Sequence, residues 1–590
     1  MKLSSLRRPD LIGWGTRLPA LRRPYLMGWP SRLSALRLPR RIGWRDHGIG
    51  AALGTAYVVA LLATARSIGF TRDESFYFRA ATSYFGWWHM LFARGVDALA
   101  QSAIDGAWSD NHEHPALVKT LFGFSWGYLH ERFHVFHDAS TSYRFPAMCM
   151  AGSAIWTTYI FGARAWDRSA GLVAAVLLAL MPRVFFHSHL ACFDVPMMAI
   201  WIHCIYVHWR AQQRGGVGWA IATGVVFGLA LETKHNAWMI PAVVVPHALF
   251  VHRHALVRGL RAGRLALPTS LVSMAVIGPI VFFALWPYLW NDTLARVQWY
   301  VNFHLNHNYY SIEFLGRNVG GPPAPKAFLP VMVLATVPAI TILLFAAGAV
   351  DRSFDAGRRV RAALLRRRDE PPRADRSETD LLLALSLAVP MVPFFLERTP
   401  IFGGTKHWMT AYPALALFAG RGFTIALSAL RRALPKLDGR AALGTRTALF
   451  TSVVLAPLAV TAHSTPFGLS AYVPLVGGTA GGADLGLNRQ FWGYTTQNAA
   501  EEYLNPRAPR GASVFIHDTT LGAWTQMQRE DRIRADLIAV GAPHEAQIAL
   551  LQHELHMNEV EYAIWVAFGS DAPAYIVRHD GVPIVSVYRR

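Results

Sequence analysis

The sequence predicts a polytopic α-helical membrane protein that carries a small α/β domain at its C-terminal end. Three observations lead there. Of the 590 residues, 53% are hydrophobic and only 16% are charged, whereas an average soluble domain has roughly 25% charged residues. About eleven segments are apolar over a length near the ~20 residues that a membrane helix needs. After residue 463 the apolar runs shorten to strand length and are separated by polar turns. The 12% aromatic content, with 20 Trp, fits the same class, because amphipathic rings collect at the headgroup level.

Residues 1–48 come first and repeat a short unit: "LRRPDLIGWGTRLPA", "LRRPYLMGWPSRLSA" and "LRLPRRIGWRDHG". The unit is too short and too rich in Pro and Gly to build a solenoid. It reads as a disordered basic arm without the apolar core of a secretory signal. Such an arm would suit anionic headgroups, or it is simply tolerated low-complexity sequence. The expected spans are 49–70, 142–163, 169–187, 194–209, 217–233, 236–251, 265–287, 327–350, 379–397, 407–428 and 445–463. A further apolar segment, 115–130, is short and is read as lying in the interface. With that assignment the basic loops Arg164–Arg168, Arg210–Arg214, His252–Arg264, Arg352–Arg376 and Arg431–Arg446 all fall on the side of the arm. Positive charge retained on the cytoplasmic side explains that pattern. The bundle is then 49–463, with large outer loops at 71–141 and 288–326, and residues 464–590 form an outer α/β domain. In that last part "ASVFIHDTT", "EYAIWVAFG" and "VPIVSVYRR" read as strands and Pro543–Met557 as helix.

The net charge of +20 is therefore accounted for by cytoplasmic loops, and nucleic acid is not an expected partner. Cys149, Cys192 and Cys204 lie in or beside apolar segments and look like small buried hydrophobes, not a disulfide framework or a zinc set. No cluster of histidines and acids marks a clear metal site, so no metal and no cofactor are expected, with a divalent metal left open.

With this topology the polar residues that hydropathy does not explain collect on the outer side. They are Asp73 and Glu74 in "GFTRDESFYFRA", Glu113, His114 and Lys119 in "NHEHPALVK", and Asp194 after "HSHLACF". Lys234 in "ETKHN", Arg317 in the long connection and Lys406 in "GGTKHW" join them. Ionisable groups near membrane depth are costly and mark function by default. Plainer roles stay open: the acid pair as a solvated helix end, the lysines as snorkelling side chains, and Asp194 as a helix cap. In the connection, "WYVNFHLNHNYYSIEF" suits an aromatic interfacial helix or a lid, and "GRNVGGPPAPK" breaks regular structure.

In this order the motifs resemble those of the family 39 glycosyltransferases, of the membrane-embedded GT-C superfamily. That family includes protein O-mannosyltransferases and lipid A aminoarabinose transferases. "RDESFYF" resembles the family's Asp-Glu motif, and "EHPALVK" its His-Pro-Pro-Leu-x-Lys motif with Ala116 in place of the second Pro. "CFDVPMM" resembles the second acidic motif, "ETKHN" a Thr-Lys element and "GGTKHWMTAYP" a Gly-x-Lys element. The resemblance covers roughly 49–430. It implies a GT-C fold, a polyprenyl-phosphate-sugar donor, a hydroxyl acceptor on protein, lipid or glycan, and an inverting transfer at the outer face of the cytoplasmic membrane. Asp73 would be the general base, Glu113 and Asp194 would orient, and Glu74 would support or cap. His114, Lys119, Lys234, Lys406 and Arg317 would hold the donor phosphate. A flippase of a lipid-linked sugar and a non-catalytic scaffold for the C-terminal domain are the competing expectations. Against the flippase, no paired halves are visible.

Overall fold

The structure is a computed structural model that describes residues 42–263, 267–364, 377–434, 439–554 and 557–590. The reading of the arm as disordered falls almost wholly outside these residues. Every one of the eleven expected spans holds helix. The count of membrane crossings is nevertheless not reproduced. Among the described residues, Trp44–Ser67, His235–Arg261, Gly404–Ala433 and Gly439–Ser464 are long and apolar enough to cross. Two bent pairs, Arg168–Ala179 with Pro182–Ser188 (68°) and Phe328–Thr336 with the helix from Ala339 (118°), raise four to six. Val217–Leu231 and Thr269–Leu285 are apolar but shorter. Ala139–Ala165 and Asp194–Arg214 carry Ser, Thr, His and Arg along their length. Asp194–Arg214 is nonetheless buried over most of that length, which is the mark of a central helix. Segment 115–130 forms a nine-residue helix, Leu117–Ser125, that runs into a wider helical turn, Trp126–Arg132.

Small residues set how closely the helices approach. A Cβ on Gly54 would meet the Gly152 carbonyl oxygen at 2.5 Å, so the first helix and Ala139–Ala165 cross backbone to backbone. One end of the bundle gathers Asp46, which accepts from Arg168 Nε at 2.6 Å, and Arg446, which donates to Ser169 at 2.8 Å. The opposite end carries the turn at residues 68–73, the loop between Ser188 and Asp194, and the start of Ala139–Ala165. The long connection forms a helix, Thr293–Leu305, then a hairpin of β1 (Ile312–Phe314) and β2 (Arg317–Val319). Trp286, Leu289 and Tyr300 seat that helix against Trp87, Trp108 and Trp238.

Residues 513–590 form a mixed five-stranded sheet of order β4-β3-β5-β7-β6. The strands are β3 (Ser513–Ile516), β4 (Ile538–Val540), β5 (Ile548–Gln552), β6 (Tyr575–His579) and β7 (Val582–Arg589). β3 runs parallel to β4 and β5, and β7 antiparallel to β5 and β6. Two sequence expectations are corrected here. The described residues of Pro543–Met557 do not form the expected helix: "IALLQ" becomes the central strand β5, buried at all five positions, because pairing on both edges outweighs the helix preference of Ala and Leu. "EYAIWVAF" is not a strand but the helix Asn558–Phe568. Glu559 and Glu561 favour its N-terminus and left-handed Gly569 ends it.

This sheet packs on the end of the bundle that bears Asp73. Arg72 donates to Asp518 at 2.9 Å and Ser75 bonds Thr520 at 2.8 Å. Ser140 donates backbone N–H and hydroxyl to Glu530, both at 2.8 Å. Arg532 reaches the carbonyl oxygens of Arg66 and Ile68.

Candidate active site

The two adjacent acids that end the first span have opposite surroundings. Glu74 is fully buried and receives Arg144 Nε at 2.8 Å and an Arg144 terminal nitrogen at 2.7 Å. The Thr71 and Ala191 amides add bonds of 3.0 Å each. Every lone pair of this carboxylate is directed at a donor. It ties the start of the helix Glu74–Arg94 to two other segments and has no capacity left for a substrate. Asp73 stands one residue earlier, at the cap position, with a side chain 26% exposed. Among the described residues its ion-pair neighbour is Arg72, at 3.5 Å, and that guanidinium is shared with Asp518.

Around Asp73 the predicted residues converge. Tyr77, one turn into the same helix, lies within electrostatic reach of Asp73, Cys192, Asp194 and Glu113. Its ring is 4.5 Å from Phe193 and 6.2 Å from His114, centre to centre. Asp194 opens the helix Asp194–Arg214 and accepts from Lys234 Nζ at 2.6 Å and from the Cys192 thiol at 3.2 Å. Lys406 sits among Asp194, Asp73 and Lys234 electrostatically. No ion pair or hydrogen bond of its ammonium is found among the described residues; the nitrogen lies 3.5 Å from the centre of the Trp492 ring. Two left-handed glycines, Gly403 (φ 72°) and Gly404 (φ 59°), make the turn that folds it there. The left-handed backbone at Gly403 is what requires Gly there, and a Cβ would also press on the end of the Lys406 side chain.

The "NHEHP" loop closes one side. Asn111 donates to Glu113 at 2.6 Å, and His304 of the connecting helix bonds the Glu113 carbonyl oxygen at 2.8 Å. Lys119 is buried and donates to the Asn111 and His114 carbonyl oxygens of that loop. Burial pulls its ammonium down to about 7, with Glu113 drawing it back up. Burial, reinforced by Lys119, also holds His114 well below the usual imidazole value, so it is neutral. Lys119 therefore organises the loop. The structure does not bring Arg317 in: it is exposed on β2, in a hairpin that meets Gly486 through Gly316. His187 stands beside the cluster, buried, with both ring nitrogens unpartnered.

The sequence did not single out what the C-terminal part contributes. Asp518 follows β3 by two residues, bonds Arg72 and lies near Asp73. Burial pushes it up to about 7, Glu554 adds to the push and Arg72 opposes it. Trp492 provides the aromatic face for Lys406. A signal for Asp518 existed: an acid just past a strand end is where open α/β sheets place their sites.

Comparison with known proteins bears on this arrangement. A family model described as dolichyl-phosphate-mannose-protein mannosyltransferase matches residues 128–286. Those residues include Asp194 and Lys234. The match spans less than half of the chain, and its description is of the protein-mannosyltransferase kind that the motifs resemble. The Arabidopsis thaliana dolichyl-diphosphooligosaccharide–protein glycosyltransferase subunit STT3B is 35% identical over 75 residues. That stretch is 12% of this chain and 10% of the relative, so the chain matches about a tenth of the relative's length. Among solved structures, ArnT from Cupriavidus metallidurans bound to undecaprenyl phosphate aligns at 15% identity and TM-score 0.45, over 91% of this chain and 97% of that one. The oligosaccharyltransferase AglB from Archaeoglobus fulgidus, in complex with an inhibitory peptide and a dolichol-phosphate, aligns at 10% identity and TM-score 0.44, over 87% and 71%.

Proposed function

We propose that the chain transfers a sugar from a polyprenyl-phosphate donor to a hydroxyl acceptor at the outer face of the cytoplasmic membrane, with inversion at the anomeric carbon. One observation carries this reading. A partly exposed carboxylate, Asp73, and an ammonium without an ion partner, Lys406, meet a buried Asp194–Lys234 pair at one end of a helical bundle. A lipid-linked donor keeps its tail in the bilayer and its phosphate at the interface, so a site at helix ends suits it.

In the reaction Asp73 accepts the acceptor's hydroxyl proton as the oxygen attacks the anomeric carbon. The bond to the phosphate oxygen breaks and the polyprenyl phosphate leaves with the electron pair. Charge grows on that oxygen in the transition state, and a cation preplaced there is worth more than one that must be desolvated during the reaction. Lys406 fills that role, because its ammonium is not already committed to a carboxylate. Lys234 is tied to Asp194, and the pair sets the floor of the site. Glu113 and neutral His114 offer an acceptor and a donor for sugar hydroxyls. Glu74 and Lys119 act through the backbone they hold. The donor's sugar and the acceptor's class, whether protein, lipid or glycan, are set by the groups lining this mouth.

The test is transfer of label from a polyprenyl-phosphate sugar to an acceptor pool by purified protein in lipid. Asp73→Asn is expected to lower turnover by about 10²–10⁴ with unchanged yield and melting. Transfer at the wild-type rate by that variant would remove Asp73 from the role. Label that crosses the bilayer without chemistry would favour a flippase.

A further inference from the structure

A second constellation of ligating side chains lies away from the Asp73 cluster, where the last long helix meets the C-terminal sheet. His463 stands in the final turn of Gly439–Ser464. His579 ends β6, and Asp580 follows it in the turn to β7. That turn is the sequence His-Asp-Gly-Val, with Asp580 (φ 51°) and Gly581 (φ 78°) both left-handed, the backbone that an Asp-Gly hairpin turn adopts. It holds His579 and Asp580 side by side and directs both toward the helix end. One ligand atom from each of the three residues lies within 4.8 Å of the others. His463 Nε2 is 2.7 Å from one Asp580 oxygen, and His579 Nε2 is 3.9 Å from the other.

His579 distinguishes this group from a surface ion pair. Its side chain is 8% exposed, its ring stacks on Phe467 at 4.9 Å, and its Nε2 has no hydrogen-bond partner. A buried imidazole nitrogen without a hydrogen-bond partner is costly, and a cation that accepts its lone pair removes the cost. Tetrahedral zinc sites place N and O ligands at about 2.0–2.2 Å from the ion, hence about 3.3 Å from each other. The separations of the two imidazoles from the Asp580 carboxylate, one to each oxygen, lie on either side of that value. His463 and Asp580 also border a cavity of about 440 Å³, lined further by Pro182, Tyr472 and Thr479, which leaves room for a water as a fourth ligand.

We propose that His463, His579 and Asp580 bind one divalent cation of the zinc type and thereby clip the last helix to the C-terminal sheet. Two imidazoles and a carboxylate suit zinc, cobalt or nickel better than magnesium or calcium, which take oxygen ligands. The site is independent of the sugar-transfer reading and stands or falls without it.

Tag-free full-length protein is stripped with EDTA, loaded with Zn²⁺, desalted and measured for zinc by mass spectrometry. One ion per chain is expected, unaffected by excess Mg²⁺. Co²⁺ loading should give the strong visible absorption of a four-coordinate ion. His463→Ala, at a side chain 67% exposed, and His579→Gln should each weaken binding by about 10-fold or more, the low end of what loss of supporting contacts alone costs. The melting temperature should rise with zinc in the wild type and not in the variants. Because His463 is a surface side chain, its variant keeps the test valid if His579→Gln fails to fold. Absence of zinc from the loaded wild type, or equal zinc affinity in wild type and His463→Ala, overturns the proposal.

Discussion

Asp73 and Glu74 are neighbours of the same chemical kind, and they belong to two regions built on opposite rules. Around Glu74 every polar atom is matched: Arg144, Thr71 and Ala191 all donate to it, and none of the group is exposed to solvent. Around Asp73 the matching is incomplete. Arg72 is divided between two carboxylates, Lys406 has an aromatic ring for company, and both His187 nitrogens lack partners. A saturated buried network holds a shape, whereas an unsaturated one keeps capacity for something that arrives. The contrast separates residues with bonds to spare from residues whose charge is already spent on the fold.

Three substitutions would break or sharpen that contrast. The largest effect is expected at the saturated acid. Glu74→Gln leaves the Arg144 guanidinium buried without its counter-charge, and breaking one side of a buried pair costs about 3–5 kcal/mol. Thermal unfolding in detergent should show that loss, with low folded yield; a melting curve equal to wild type would mean Glu74 is no latch. Lys406→Met comes next and should behave in the reverse way. It is expected to cut kcat by about 10²–10³, as for other preplaced charges, and to leave melting near wild type. A variant that melts early but turns over normally would move Lys406 into the structural set.

The smallest effect concerns Asp518. Burial and Glu554 raise it to about 7, so the folded state holds a proton that the unfolded chain releases near pH 4. Between those values the native state binds more protons, so this group's contribution to stability falls as pH rises and is fully lost above pH 7. Asp518→Asn should therefore gain roughly 2–3 kcal/mol over wild type at pH 8 relative to the comparison at pH 5, about 1.4 kcal/mol for each unit between pH 5 and 7. Asn also suits the left-handed backbone at this position (φ 52°). Parallel stability curves for the two proteins would show that Asp518 does not titrate in this range.

Much of this contrast was legible in the sequence. The motif residues Asp73, Glu113, His114, Asp194, Lys234 and Lys406 do come together, because each stands at or beside a helix end on the same side. The division of labour among them was not legible. Nothing in "RDES" says which acid is latched, although Arg144 inside an apolar span was a cue that a buried acid had to exist. Lys119 resembled a phosphate ligand by its motif, but its stem is short of solvent and its nitrogen is taken by carbonyl oxygens of its own loop. Arg317 has only its charge to recommend it, and a hairpin turns it away. The helix "EYAIWVAF" and the strand "IALLQ" were misread for one reason: short apolar runs carry no decisive period, and long-range pairing chooses between the two states.

Arg72 and Asp518, which bond each other at the mouth of the site, are separated by 446 positions. A ribosome therefore finishes the bundle, with its acid pair and lysines, long before the segment bearing Asp518 and its strand emerges. Until that late arrival, Arg72 has no second carboxylate to balance. A nascent or truncated chain that stops short of the sheet would carry every recognisable motif and an incomplete pocket.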